Sequence, residues 1–201
     1  MTTPEFARTM LLLLAHGALQ GAFIWGRWRV FRIDGAVPPG VRVIEIAASV
    51  SIIAGAGLIG FRASVTWPFD ALAWALAMLS CGLFAWSTAH VGTFTLTAAF
   101  SNDAPRRLIA SGPYRWLRHP FYVAYVLAQL FVLAASASLW AVPMCALMAL
   151  IYVRAAGHEE RKFARSALAA EHAVYVRATG AFWPRWPLRI STIHEHRAEL
   201  P

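Results

Sequence analysis

Two short segments carry the side chains with chemical reach. The first is SGPYRWLRHPFY at 111–122. It sets Arg115 and Arg118 beside His119-Pro120, with Tyr114, Trp116, Phe121 and Tyr122 among them, and Arg106 and Arg107 stand just before it. Gly112-Pro113 is a turn signal. Pro120 reads as the first position of a helix, where a missing N–H costs little. Such a helix offers free backbone N–H groups and a positive dipole end beside Arg115 and Arg118, which is a ready anion site. The aromatic faces can stack on a heterocycle or contact a cation. The second segment, HEERKF at 158–163, carries the adjacent carboxylates Glu159 and Glu160. These could pair with the loop arginines, or accept hydrogen bonds from a ribose or an amine. Each feature also has a plainer reading: Arg before an apolar run is ordinary topology, and Glu160 with Arg165 nearly suggests a solvated helix face.

The elements that must position these groups follow from composition. The chain has 201 residues, 59% hydrophobic and 14% charged. A soluble domain carries about 25% charged residues. With a mean hydropathy of +0.53, the chain reads as an all-α integral membrane protein. The net charge of +8 would suggest nucleic acid in a soluble protein. Here the basic residues lie between apolar runs, so topology explains them and no nucleic-acid partner is expected. Nine Trp suit interfacial belts. Cys81 and Cys145 lie inside apolar runs and read as small buried hydrophobes rather than a disulfide. The seven His show no metal-ligand spacing. His158-Glu159-Glu160 lacks the following His of a zinc-protease helix, and His194-Glu195-His196 sits in a polar tail.

Five spans are expected, at about 10–26, 43–61, 68–88, 120–136 and 138–154, in a single membrane domain over 1–201. The first is read as a span and not a signal peptide, because more long apolar runs follow without a clean cleavage site. Gly55, Gly57 and Gly60 suit the second to close packing. Phe121 to Val153 carries no charge. As one helix it would reach roughly 50 Å, against a hydrocarbon core of about 30 Å. It should therefore fold back as a tight hairpin, turning at Ser136-Ala137-Ser138, with Pro143 in the first turn of the returning helix. Beyond Arg154 a polar helix is expected through about 178, until Pro184 and Pro187 break it. With the amino terminus outside, two basic residues (Arg8, Arg62) are external and the other sixteen cytoplasmic. Segments 101–119 and 155–187 then meet on the cytoplasmic side.

The joint pattern resembles the isoprenylcysteine carboxyl methyltransferase and phospholipid methyltransferase families. SGPYRWLRHPFY is similar to their Gly-Pro-Tyr-Arg-x-x-Arg-His-Pro-x-Tyr signature, and HEERKF to the Glu-Glu motif about forty residues later. LAAEHAVYV at 168–176 and FWP at 182–184 resemble the closing Phe-Gly-x-Glu-Tyr-x-x-Tyr and Ile-Pro positions. The likeness covers roughly residues 100–184; the amino-terminal half matches only in hydrophobicity. It implies a methyltransferase in a bacterial inner membrane that uses S-adenosylmethionine and acts on a lipophilic or small hydrophobic acceptor. It implies cofactor-binding roles for Gly112, Pro113, Tyr114, Arg118, His119, Pro120, Tyr122, Glu159 and Glu160, and catalytic roles for His119, Glu159 and Glu160. No metal is implied.

The residues fit that implication. The cofactor has a carboxylate for the helix start, an adenine for the aromatics and a sulfonium that carboxylates or aromatic faces tolerate. In-line methyl transfer needs mainly alignment and water exclusion. A base is needed only for a thiol, phenol or protonated amine, and His119 or a Glu could serve; a carboxylate acceptor needs none. Three departures stand out. Ala124 replaces a usual Gly, Leu168-Ala169 replaces Phe-Gly, and the Arg near the motif's end is Ala178 or shifted to Arg177. Two other readings are a sterol-reductase type of enzyme that takes a nicotinamide nucleotide, though such chains are longer, and a non-catalytic membrane scaffold.

Overall fold

The computed structural model describes residues 2–32, 36–62, 67–92, 96–97, 100, 105 and 107–185. Arg106, Pro187 and the His194-Glu195-His196 tail lie outside the described residues. Helices occupy Thr3–Val30 (α1), Pro39–Gly60 (α2), Trp67–His90 (α3), Pro120–Ser136 (α4), Ala141–Ala164 (α5) and Ala169–Ala178 (α6). A 3₁₀ turn covers Gly112–Arg115. Extended backbone is minimal: Phe31–Arg32 (β1) pairs in parallel with Leu96–Thr97 (β2), Phe31 opposite Leu96.

Local signals set the helix ends. Glu5 reaches back to the Thr2 backbone N–H at 2.7 Å and closes the start of α1. Pro39 opens α2 and Pro120 opens α4, each at the first helical position. α4 ends where Ala137 turns left-handed at φ 48°, and α5 begins four residues later with Pro143 in its first turn. That is the expected hairpin.

α1, α2, α3 and α5 are long and apolar enough to cross a membrane. α4 has 17 residues, and at about 1.5 Å per residue it reaches the short end of what a span requires. Their outward faces are oily: Ile53 is 74% exposed, and Leu14, Met78 and Leu147 also point away from the bundle. The chain is a multi-pass membrane protein whose surface was made for lipid.

Helices in lipid gain little from burying apolar area against each other, so close packing and buried polar contacts hold them. α3 and α4 show both. Ala73, Ala77, Ser80, Phe84 and Ser87 form the buried face of α3, against Ala124, Ala128, Phe131 and Ala135 of α4. The Ser80 hydroxyl donates to the Ala124 carbonyl at 2.8 Å. Ser51 of α2 donates to Gln129 of α4 at 2.9 Å. Gly55 lets α2 approach His16 and Val132.

Three expectations are corrected. The polar helix after Arg154 is not continuous. The Ser166 hydroxyl donates to the Phe163 carbonyl at 2.8 Å and accepts the Leu168 N–H at 3.1 Å, so the side chain takes over backbone bonds and splits α5 from α6. Gly57 and Gly60 face open space, and only Gly55 of the three makes a close approach. Cys81 is exposed on the lipid face, not buried. Glu160 turns to the α4 entrance and pairs there with Arg118, the loop-arginine reading of the two that the sequence offered.

Candidate active site

The site starts from one glycine. Gly112 has φ 57°, and a β-carbon there would run into the His90 ring at the end of α3. This lets the chain tuck against α3 and wind into the 3₁₀ turn, closed by the Trp116 and Leu117 N–H groups on the Pro113 carbonyl at 3.1 and 3.0 Å. Residues 116–119 then run alongside 180–181. The Arg118 N–H donates to the Gly180 carbonyl at 2.8 Å, the His119 N–H to Ala181 at 3.2 Å, and Gly180 returns a bond to Trp116 at 3.1 Å. The segment after α6 is thus stitched to the approach of α4, with Leu117 opposite Gly180.

α5 brings Glu159 and Glu160 back to the start of α4. The Tyr122 and Tyr152 rings, stacked at 5.5 Å, set that register. Four side chains then interlock. Arg118 Nε donates to Glu160 Oε1 at 2.8 Å, and its NH1 reaches the Thr179 and Val176 carbonyls. His119 Nε2 lies 3.1 Å from the same Glu160 oxygen, and His119 Nδ1 lies 3.4 Å from Glu159 Oε2. The Tyr122 hydroxyl donates to Glu159 Oε1 at 2.7 Å. Tyr175 of α6 ties the group to the loop by donating to the Tyr114 carbonyl at 2.7 Å.

These groups line a cleft of about 880 Å³ of non-atom space, open solvent included. Its walls are aromatic: Tyr114, Phe121, Tyr122, Phe163, His172 and Tyr175. The Tyr114 hydroxyl is buried and has no hydrogen-bond partner among the described residues. Burial, then the neighbouring Tyr175 and Glu159, push its pKa well above the ordinary value, so it stays a donor. A buried donor without an acceptor costs about 1–3 kcal/mol, which a ligand atom would recover.

Burial works against a charge on His119. The hydrogen bonds and charges of Glu159 and Glu160 outweigh it, and the pKa is raised above 6.5. A group whose pKa is higher folded than unfolded stabilises the fold most below its unfolded value, and that contribution disappears as pH climbs through the folded value. Thermal stability should therefore fall as pH rises above about 6.5 and through the raised folded-state value of His119. His119→Gln should flatten that slope in unfolding scans of the purified protein. An unchanged slope would assign it elsewhere.

The structure brings Tyr114, Arg118, His119, Pro120, Tyr122, Glu159 and Glu160 to one cleft. Gly112 and Pro113 shape the turn and do not line it. Arg118, expected as an anion ligand, spends its Nε and NH1 on Glu160 and two carbonyls, so it acts as a strut. Sequence reasoning gave no site role to Phe163, His172, Tyr175 or the 179–182 segment, although HEERKF, LAAEHAVYV and FWP run through them. His172 and Tyr175 lie three apart on one face of α6, a periodicity that could have flagged them. Nothing local announces that 179–182 pairs with 116–119. Among the described residues, no group of three or more His, Cys, Asp or Glu is placed to hold a metal.

The chain is thus a multi-pass helical protein with a charged, aromatic cleft at the mouth of a helical hairpin. The chain belongs to the phospholipid methyltransferase family, whose sequence model matches residues 69–171. That stretch includes α3, the loop, the hairpin and both glutamates. The chain is also similar to the cobalt-zinc-cadmium resistance protein CzcN of Cupriavidus metallidurans, at 31% identity over 131 residues. The match covers 61% of this chain and 60% of that protein, less than two thirds of its length.

Proposed function

We propose that the protein transfers a methyl group from S-adenosylmethionine to a lipophilic or small hydrophobic acceptor, in the manner of isoprenylcysteine carboxyl methyltransferases. The observation that carries this reading is the cleft itself, where Tyr122, Glu159, His119, Glu160 and Arg118 interlock, and which Tyr114 also lines with a hydroxyl that has no hydrogen-bond partner among the described residues. The residues fit the cofactor. The start of α4 suits its carboxylate, the Tyr and Phe walls suit its adenine, and the Tyr114 hydroxyl has a hydrogen bond to give. S-adenosylmethionine supplies an electrophilic methyl on a sulfonium. The protein's part is to align donor and acceptor and keep water out. The hairpin between Ala124 and Tyr152 offers the lipid side a way in for an apolar acceptor.

Purified protein should bind labelled S-adenosylmethionine saturably, and His119→Ala and Glu160→Ala should lose that binding. Binding of NADPH instead, as a sterol-reductase type of enzyme would show, ends the proposal, as does binding of neither. Transfer of labelled methyl to lipid extracts and small acceptors would then name the acceptor class.

The proposed orientation puts the cleft in the cytoplasm and the tip of the α4–α5 hairpin outside, with the bacterial inner membrane as the site. A reporter fused after Pro201 should be cytoplasmic and one inserted near Ser64 external; both points lie outside the described residues. An external carboxy terminus would remove the cleft from the cytosolic cofactor pool.

A further inference from the structure

Resting on that reading, we infer that Glu159, reached through the Tyr122 hydroxyl, takes the proton from a protonated acceptor nucleophile, while His119 and Glu160 hold that pair in place. The candidate bases are separated by their partners. Both ring nitrogens of His119 face carboxylates, at 3.4 Å to Glu159 and 3.1 Å to Glu160. A neutral imidazole would aim a lone pair at one of them, so the ring is settled as imidazolium. It then has no lone pair for an incoming proton. Glu160 receives Arg118 Nε and His119 Nε2 on one oxygen, at 2.8 and 3.1 Å, and is committed to two cations. Glu159 differs: among the described residues its Oε1 accepts the neutral Tyr122 hydroxyl at 2.7 Å, and one cation, the His119 ring, meets its other oxygen at 3.4 Å.

Tyr122 sits in the first turn of α4, where the cleft meets apolar surroundings. Its ring lies 5.5 Å from Tyr152 and 6.3 Å from Tyr125. A lipophilic acceptor arriving along the hairpin would meet the phenol oxygen before any carboxylate. The acceptor's S–H, O–H or N–H proton passes to the Tyr122 oxygen as the tyrosine's own proton passes to Glu159 Oε1. The bond from the acceptor atom to methyl forms as the carbon–sulfur bond of the sulfonium donor breaks, its electron pair staying on sulfur. Glu159, at 23% side-chain exposure, then releases the proton to water.

The charged and titratable groups around Glu159 are Tyr114 from the loop turn, Arg118 and His119 before α4, and Tyr122 and Tyr125 on it. Glu160 and Lys162 lie on its own helix, and His172 and Tyr175 face the cleft from α6.

The test measures transfer to prenyl thiols, long-chain amines and long-chain carboxylates across pH, with S-adenosylhomocysteine binding followed by calorimetry. Glu159→Gln and Tyr122→Phe should each slow transfer to a thiol or amine by about 100-fold. Each should also alter the fall of rate towards acid pH, and slow transfer by far more than it weakens S-adenosylhomocysteine binding. Glu160→Gln should weaken that binding and leave the acid limb in place. The inference is overturned if Glu160→Gln removes the acid limb while Glu159→Gln keeps it, or if wild-type protein methylates carboxylates alone. Wild-type protein that fails to bind S-adenosylhomocysteine overturns the methyl-transfer reading, and this inference with it.

Discussion

Arg118→Ala should unlatch the cleft. It leaves Glu160 without its nearest cation, and the Thr179 and Val176 carbonyls without a side-chain donor. Removing one member of a buried charge pair costs about 3–5 kcal/mol. Glu160 is 31% exposed, and water screens part of that loss, so the low end, about 3 kcal/mol, is expected. For a chain this size that lowers the thermal midpoint by roughly 10 °C. Arg118→Lys should recover less than half, because an ammonium lacks the fork that spans a carboxylate and two carbonyls. Unfolding scans in detergent decide it, and an unchanged midpoint would mean that the 179–182 segment is held by its backbone bonds alone.

Gly180→Ala should do comparable harm without touching a charge. A β-carbon at Gly180 would collide with the carbonyl oxygen of Trp183, a backbone atom that no rotamer change can clear. Gly180 also carries bonds to both Arg118 and Trp116. A loss of about 3 kcal/mol is expected, at the upper end for a single substitution. Proteolysis after α6 should become faster. Gly57→Ala is the matched control, since its β-carbon would meet nothing within 4 Å. It should be neutral or stabilise α2 by up to about 1 kcal/mol. Equal behaviour of the two variants would count against a structural role for the backbone bonds between 116–119 and 180–181.

Hydrophobic patterning is strong in a membrane protein, because every backbone polar group in lipid must be bonded within its own helix. That is why the apolar runs of α1, α2 and α3 were legible, and why a charge-free run too long for one span had to fold back. Pro120 announced the start of α4, and the resemblance across 111–122 and 158–163 pointed to the family that the match over 69–171 shows. The end of the polar helix was harder to read. Ser166 is an unremarkable residue in a helical pattern until its hydroxyl takes over backbone bonds.

By itself, then, the sequence determined the class of solvent around the protein, the hairpin and the residue types gathered near it, since these depend on composition and spacing along the chain. The tertiary structure decided what each polar group is committed to. It turned Arg118 from an expected anion ligand into a strut, set His119 between two carboxylates, placed Tyr122 on Glu159, and left the Tyr114 hydroxyl without a hydrogen-bond partner among the described residues. Those assignments depend on distances of a few ångströms between residues about forty to sixty positions apart, and only packing sets such distances.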